Sequence, residues 1–352
     1  MSKRVKTTQK AVLMTGAKRS LRPLTALSGV AAVLAVGTTP AYAYHATDKL
    51  DVNGKVFANV ISQSGAATSA ADDAASGFHF DRAYFELRYK PDADNMVRIT
   101  LDQKAPDGSV FVKYAYWQHK FNDSATLKAG QNHTPLVDYL QTDMWRHRYV
   151  QKTYTDFWGA ETSSDLGVSV FGNGGESFDY YVSLMNGEGY THTPNGAGYA
   201  LEGRAEYHTN GLHVGLYGHS ESKRNGTDNY DPTREVVYAW WENDTFQVGG
   251  QYMMADDGDY ADTPAGAAAG TFNSGKGYNI LANVKLPMGK KTTAFVRYDT
   301  IDKRDTGTDQ TLTIAGVEFE VAPGVMLAPA VQSEDDGTDT ITDIGVWGQY
   351  KF

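Results

Sequence analysis

The 352-residue chain contains no cysteine. It must therefore fold without a disulfide, and zinc–thiolate sites, haem thioether attachment and cysteine nucleophiles are excluded. After its N-terminal region the chain also lacks any run of about 18 apolar residues, so it has no candidate transmembrane helix there. What it does contain is 36 glycines and 22 tyrosines in a chain that is polar on average. That combination suits a fold with one face in lipid and the other in water.

Acidic residues are absent from the N-terminus, where no Asp or Glu occurs before position 46. Seven basic residues lie in the first 22 positions, an apolar run follows over 24–36, and Pro40–Ala43 ends in a small-x-small pattern. These features predict a secretory signal peptide over 1–43, cut between Ala43 and Tyr44. A membrane anchor is the alternative, but the apolar run is shorter than the roughly 20 residues that a spanning helix needs.

Removal of the signal peptide makes the remaining chain strongly acidic. Seven of the 32 Lys and Arg residues and none of the 42 Asp and Glu residues lie in 1–43, which leaves 25 basic against 42 acidic residues, or −17. A chain of this charge has no basic face with which to bind nucleic acid.

Period-2 alternation runs through nearly all of the mature chain. Val97, Ile99 and Leu101 alternate with polar residues, and a similar segment precedes them across the turn at 90–94. Two alternating runs joined by a Pro/Asp turn predict a β-hairpin.

Continued along the chain, this pattern predicts sixteen strands, with bounds uncertain by about 2–4 residues. They lie near 50–61, 78–90, 95–104, 109–121, 124–132, 163–172, 176–186, 198–208, 211–222, 233–243, 245–256, 276–286, 291–301, 310–321, 324–333 and 341–352. Every second connection is a tight turn, and most of the others are longer and polar. This sorting predicts an all-β, 16-stranded antiparallel transmembrane β-barrel over 44–352, with short periplasmic turns and long extracellular loops, in the bacterial outer membrane. A soluble β-sandwich has no reason to sort its loops in this way.

The last strand ends in an aromatic residue. Tyr350 and Phe352 lie on the same face of an alternating strand. Such an ending resembles the assembly signal of outer-membrane proteins, which implies the barrel assembly machinery as a partner. An ordinary strand that happens to end in Phe is the alternative.

Sixteen strands enclose an aqueous channel, whereas eight are filled by their own side chains. Passive diffusion of ions and small hydrophilic solutes is therefore the expected function. The inward faces carry many charges, which stay hydrated only in a water-filled lumen. The expected channel-lining residues on the strands are Arg82, Arg88, Arg98, Asp102, Lys113, Lys128, Arg297, Glu318 and Glu320.

The segments Leu127–Gln131, Thr134-Pro135 and Arg82–Tyr84 resemble the phosphate-selective (O/P type) porins and the general porins of Gram-negative bacteria. The resemblance implies a homotrimer with one pore in each subunit. It also implies that the third long loop, 132–162, folds into the barrel and narrows it. In that case Asp138, Asp143, Arg146 and Arg148 approach the basic wall formed by Arg82, Arg98 and Lys113. An extracellular loop packed on a neighbouring subunit is the alternative.

Ion selectivity is less well defined by the sequence. Phosphate selectivity needs a dense Lys and Arg ladder, whereas the basic residues predicted for the lumen are matched by acids. Two outer loops are also acidic, with Asp256, Asp257, Asp259 and Asp262 in one and Glu334, Asp335, Asp336 and Asp339 in the other. We therefore expect a weakly cation-selective or non-selective channel, with an anion- or phosphate-selective channel as the alternative.

An outer-membrane enzyme and an adhesive barrel are the rival classes. None of six histidines stands in a nucleophile motif, so no catalytic residue is predicted; the six are His119, His133, His147, His208, His213 and His219. His213 and His219 are about 20 Å apart on one strand, too far to share a metal. The Asp256–Asp259 segment lacks the trailing Glu of a calcium loop. No metal site or cofactor is predicted, although the acidic loops could bind divalent ions loosely beside lipopolysaccharide and the outer-membrane lipid.

Overall fold

The computed structural model describes residues 44–65, 76–104, 108–192, 198–225, 228–256, 274–288, 291–303 and 308–352. The predicted signal peptide, 1–43, and most of the acidic loop around Asp259 lie outside the described residues. Within the described ranges, no helix has the length and apolarity required to cross a bilayer.

Eighteen β-strands and three short helical turns make up the described chain. The strands are β1 (Tyr44–Thr47), β2 (Leu50–Gly65), β3 (Gly77–Tyr89), β4 (Asn95–Lys104), β5 (Val110–Asn122), β6 (Ala125–His133), β7 (Ser164–Asn173), β8 (Phe178–Met185), β9 (Tyr199–Thr209), β10 (Leu212–Asn225), β11 (Asp228–Tyr230), β12 (Thr233–Glu242), β13 (Phe246–Asp256), β14 (Ser274–Leu286), β15 (Thr292–Lys303), β16 (Thr308–Ala322), β17 (Val325–Asp335) and β18 (Thr340–Lys351). The helical turns are α1 (Val137–Tyr139), a π-helical turn (Leu140–Trp145) and α2 (Tyr154–Phe157).

The strands form one closed antiparallel sheet. Each strand from β2 to β18 pairs with its neighbour in sequence, except that β11 only extends the hairpin of β10, and β10 pairs with β12. The ring closes where β18 pairs with β2, from Ile341 opposite Gly65 to Lys351 opposite Lys55. Without the short β1 and β11 the barrel has sixteen strands, and these are the sixteen that alternation predicts. The fold prediction is confirmed.

Short turns alternate with longer connections around the ring, and turn residues explain the short ones. The Asn243 side chain accepts the backbone N–H groups of Thr245 and Phe246 at 2.8 and 2.9 Å. The Asn95 side chain and two backbone N–H groups hold the pKa of Asp92 below its ordinary value. Such side-chain-to-backbone bonds replace the ladder bonds that end at a turn.

The outward face of the barrel is apolar. Val97, Ile99 and Leu101 on β4 are exposed, and the same holds for alternate residues on most other strands. Exposed aromatic residues lie near both ends of the strands, among them Phe78, Tyr89, Phe121, Tyr199 and Tyr207. An apolar belt between two aromatic girdles is the surface that a lipid bilayer covers.

Two of the β-bulges lie on β3 and β5, the strands on either side of β4. Asp81 is the extra residue where β3 pairs with β2, and Lys113 is the extra residue where β5 pairs with β4. Because a bulge turns two consecutive side chains to one face, Lys113 and Tyr114 both point inward and are only 5% and 2% exposed. The bulges thereby add polar side chains to one part of the inner wall.

Candidate channel and internal loop

The connection between β6 and β7, residues 134–163 and here called the internal loop, lies inside the barrel. Its apolar residues Leu136, Val137, Leu140, Met144 and Trp145 have no exposed surface. All of them except Val137 belong to a cluster with inward residues of β2 and of β10 to β18. Burial of these apolar side chains inside the barrel removes them from water, which is more favourable in free energy than exposure at the rim.

Aromatic packing fixes the middle of the internal loop against the wall. The Trp145 ring meets Phe295 of β15 edge to face, with centroids 5.9 Å apart, and Trp145 Nε1 donates to the Gln151 carbonyl at 2.8 Å. His147 stacks on the same Phe295 at 4.2 Å. A left-handed residue, Arg146 at φ 71°, ends the π-helical turn and redirects the chain. These contacts give the internal loop one defined position.

Polar groups also anchor the internal loop to β15 and β16. Arg297 and Asp299 form a salt bridge with both side chains fully buried, and Arg297 donates to the Lys152 carbonyl. The Arg297 guanidinium lies 4.9 Å from the centre of the Trp145 ring. Glu318 accepts from the Tyr149 hydroxyl at 2.8 Å and lies 3.2 Å from His147 Nδ1. Arg297 and Glu318 were both predicted to line the channel; the structure places them in contact with the internal loop.

Charged residues dominate the opposite wall, on β3 to β5. Arg82 donates to Asp102 at 2.8 Å, and Tyr190 donates to the second oxygen of Asp102 at 2.8 Å. Arg88 and Arg98 both pair with Glu86. This wall carries more guanidinium and ammonium groups than carboxylates.

The internal loop meets this wall at one predicted residue. Asp138 lies 3.7 Å from Lys113 Nζ and accepts from the Tyr114 hydroxyl. Arg146 instead pairs with Glu242 of β12 at 2.7 Å, and the Asp143 carbonyl accepts from Gln247 of β13 at 2.9 Å. The structure therefore brings Asp138 to the basic wall and takes Arg146 and Asp143 to the far side.

Two cavities lie between the internal loop and the basic wall. The first, of about 530 Å³, is on the short-turn side, where Asn53, Lys55 and Lys351 line it. The second, of about 410 Å³, is on the long-loop side, where Ile61, Lys104 and Asp343 line it. Phe57 and Arg148 line both, so the two cavities meet between these residues.

A third cavity of about 470 Å³ lies beneath the internal loop on the short-turn side. Arg146 lies between the first and third cavities and lines both. Glu318, Lys285 and Lys291 line the third cavity and neither of the other two. Glu320 pairs with Lys291 at 3.0 Å at the nearby turn. The first and third cavities therefore both lie on the short-turn side of the internal loop and adjoin at Arg146.

The first cavity is strongly basic. Two acids, Glu86 and Asp138, face seven basic residues there: Lys55, Arg88, Arg98, Lys113, Arg146, Arg148 and Lys351. In the second cavity Asp81 and Asp343 face Arg82, Lys104, Arg148 and Lys152. Three acids of the far wall, Glu202, Glu206 and Asp299, are buried and line none of these cavities, whereas Glu242 and Glu318 line the third.

Some predicted lining residues lie behind the cavities. Asp102 is fully buried beneath Arg82. Lys128 is enclosed by the rings of Tyr116, Phe171 and Tyr181 at 4.5–5.4 Å. The sequence reading also missed Lys55, Lys104, Lys152 and Lys351. Lys55 lies two residues before the inward residue Phe57, and Lys351 lies two residues after the inward residue Gln349. Each lysine therefore lies on the inward face of its strand, and period-2 alternation could have identified both.

Phe352 lies where the ring of strands closes. Its carbonyl accepts the Gly54 N–H at 2.9 Å, and its own N–H donates to the Gly54 carbonyl at 3.1 Å. The Phe352 ring occupies the space that a Cβ atom at position 54 would need, so it packs directly on Gly54. The same ring stacks with the Tyr350 ring, with centroids 5.8 Å apart. The aromatic end therefore takes part in closure; its role as an assembly signal stays a prediction.

Comparison by sequence finds no match to a protein-family model and none to a curated protein. Among solved structures, Salmonella typhi OmpF in complex with daunomycin aligns with a TM-score of 0.65 at 15% identity, over 88% of this chain and 99% of that one. An anion-selective porin from Comamonas acidovorans aligns with a TM-score of 0.65 at 14% identity, over 86% and 99%. OmpT, an outer-membrane protein of Vibrio cholerae, aligns with a TM-score of 0.60 at 15% identity, over 87% and 99%. The chain has the fold of a bacterial outer-membrane porin.

Proposed function

We propose that this chain forms a water-filled channel across the bacterial outer membrane, and that the channel favours small anions over cations. The observation that carries the proposal is the lining of the first cavity, where seven Lys and Arg residues face two acids. Fixed positive charge along a narrow aqueous path lowers the energy of an anion and raises that of a cation.

The position of the internal loop explains how an acidic chain can have a basic path. The loop covers the far wall, where the carboxylates of Glu202, Glu206 and Asp299 are buried in contacts. The basic wall on β3 to β5 stays open to the first and second cavities. Charge composition alone favours a weakly cation-selective or non-selective channel; the distribution of charge supports the anion-selective alternative.

The narrowest part of the path is assigned to the junction of the first and second cavities, between Phe57 and Arg148. Arg148 makes no side-chain hydrogen bond or ion pair with the residues that the structure describes, whereas Lys113 in the first cavity pairs with Asp138 and Arg82 in the second pairs with Asp102. A solute that passes the junction therefore meets a free guanidinium at close range. The internal loop is therefore proposed to form the constriction.

Bilayer recordings test both parts of the proposal. The purified protein should give conductance steps on the order of nanosiemens, and its reversal potential in a KCl gradient should show a preference for chloride. The Arg148→Gln variant should lower the chloride-to-potassium permeability ratio on the order of twofold, because it removes an unpaired charge at the junction. Lys120→Gln, at an exposed turn away from the cavities, should leave the ratio unchanged.

A cation preference in the unaltered protein would refute the anion proposal while leaving the channel intact. Absence of conductance together with hydrolytic activity would instead favour a barrel enzyme, and absence of both would favour an adhesive barrel.

The assembly is proposed to be a homotrimer in contact with outer-membrane lipid and lipopolysaccharide. One of the solved structures of Vibrio cholerae OmpT that this chain resembles is described as a trimer form. Light scattering of the detergent-solubilised protein should give three chains per particle, and a monomer would contradict this assembly.

A further inference from the structure

A cluster of acids and one histidine lies on the covered side of the barrel, away from the three cavities. Glu161 comes from the end of the internal loop, Glu202 from β9, and His219 from β10. One ligand atom from each of these residues lies within 4.8 Å of the other two. Glu221, also on β10, is 3.5 Å from His219 Nε2.

We propose that Glu161, Glu202 and His219 bind a divalent transition-metal ion, which fastens the end of the internal loop to β9 and β10. Nothing in the channel function requires this site.

Burial of the donor atoms supports the assignment. The side chains of Glu161 and Glu221 are 3% and 2% exposed, and that of His219 is 10% exposed. Glu161 Oε1 and both ring nitrogens of His219 are buried without a hydrogen bond of suitable geometry to any described residue. Nitrogen Nδ1 is 3.0 Å from Glu161 Oε1, which is close to the separation of two ligands on one ion. Ligands bound to one tetrahedral ion at 2.0–2.1 Å are separated by about 3.3 Å, and they point at the ion and not at each other.

The charges of the group are compatible with a bound divalent ion. Three carboxylates, those of Glu161, Glu202 and Glu221, beside a neutral imidazole and Arg234 are balanced by one divalent ion.

The surroundings hold the donors in place. Tyr217 donates to Glu202 Oε2 at 3.0 Å, and Arg234 donates to the Ala160 carbonyl next to Glu161 at 3.1 Å. Gly187 lies directly against Glu221, where a Cβ atom would come within 1.8 Å of Oε1. Outer groups of this kind orient metal ligands. A mixed imidazole and carboxylate donor set suits Zn²⁺ best and Mn²⁺ more weakly, whereas Mg²⁺ and Ca²⁺ prefer oxygen ligands alone.

A second trio, Asp179, Glu206 and His208, serves as a matched control. Glu206 there already accepts from Tyr139, Tyr238 and His213, and the side chains of Asp179 and His208 are about one third exposed. Its oxygens are satisfied, so we expect no metal to bind there.

Calorimetric titration of the folded full barrel in detergent with ZnCl₂ or MnCl₂ tests the proposal. One saturable site per chain is expected, and Glu161→Gln or His219→Gln should each weaken binding by roughly tenfold or more. His208→Gln should bind as the unaltered protein does. Heat-modifiable migration on gels establishes that each variant is folded, and a tetrahedral Co²⁺ absorption band provides a second readout of the same site.

Three results would overturn the proposal. They are the absence of a saturable site in the unaltered barrel, binding that survives both Glu161→Gln and His219→Gln in folded protein, and loss of binding in His208→Gln alone.

Discussion

Arg148 and Arg297 both lie inside the barrel, and their surroundings give them different roles. Arg148 lines two cavities and makes no ion pair with the residues that the structure describes. Arg297 is fully buried, paired with Asp299, and in contact with the internal loop. Alternation predicted that Arg297 faces the interior and the porin resemblance implied the same for Arg148, but neither distinguishes an arginine that meets solutes from one that holds a loop.

Replacement of Arg297 by methionine tests the structural role. It leaves the Asp299 carboxylate buried without its cation, and loss of one partner of a buried pair costs about 3–5 kcal/mol. We expect Arg297→Met to lower the free energy of unfolding, measured by urea titration of the protein in lipid vesicles, by about 3 kcal/mol. Arg88→Met removes a guanidinium that is 40% exposed and should cost about 1 kcal/mol or less. Equal, small losses for the two variants would contradict this account of Arg297.

At the scale of elements, the internal loop determines which half of the lumen remains open. Its rank among the long connections and its aromatic content were visible in the sequence, but its direction was not. That direction follows from contacts with residues far away in the chain, such as Trp145 with Phe295 and Tyr149 with Glu318. The bulges at Asp81 and Lys113 escaped prediction for a related reason, since a single extra residue in a strand leaves the local pattern nearly unchanged.

Trp145 is the main apolar anchor of the loop. Truncation of a fully buried Trp to Ala costs about 3–5 kcal/mol, and the barrel strands do not depend on it. Trp145→Ala should therefore retain the circular dichroism of the folded barrel while single-channel currents become noisy, with frequent partial closures. Trp117→Ala, whose side chain faces outward and is 42% exposed, should give steady currents. Steady currents from both variants would mean that the loop is held by its polar anchors alone.

At the scale of the whole molecule, the sequence predicted the barrel well because each of its signals is local. Alternation identified all sixteen strands, and turn residues identified the short connections. The site was predicted less completely. Arg98, Lys113, Asp138 and Arg148 do line the cavities, whereas Asp102, Lys128 and Arg297 lie behind them, because the loop that separates open from covered wall is a tertiary feature.

The unequal distribution of charge in the lumen follows from the position of the internal loop. The internal loop covers the far wall, where Glu202, Glu206 and Asp299 are buried, and leaves the basic wall open to the first and second cavities. In the proposed channel, an acidic protein in this way carries a basic path. The cluster of Glu161, Glu202 and His219 was missed for the same reason, since its first member reaches the other two only when the loop folds inward.

In the proposed channel, solutes pass between the internal loop and the basic wall. Because the chain has no cysteine, single cysteines can be placed on either side of the loop and treated with a thiol-reactive cation during bilayer recording. Thr142 is exposed and lines the first cavity, whereas Ser169 faces inward on β7 but is buried against Asn132. The structure predicts that the reagent lowers the conductance of Thr142→Cys channels and leaves Ser169→Cys channels unchanged. Block of Ser169→Cys with no effect on Thr142→Cys would place the path on the other side of the loop and contradict the account.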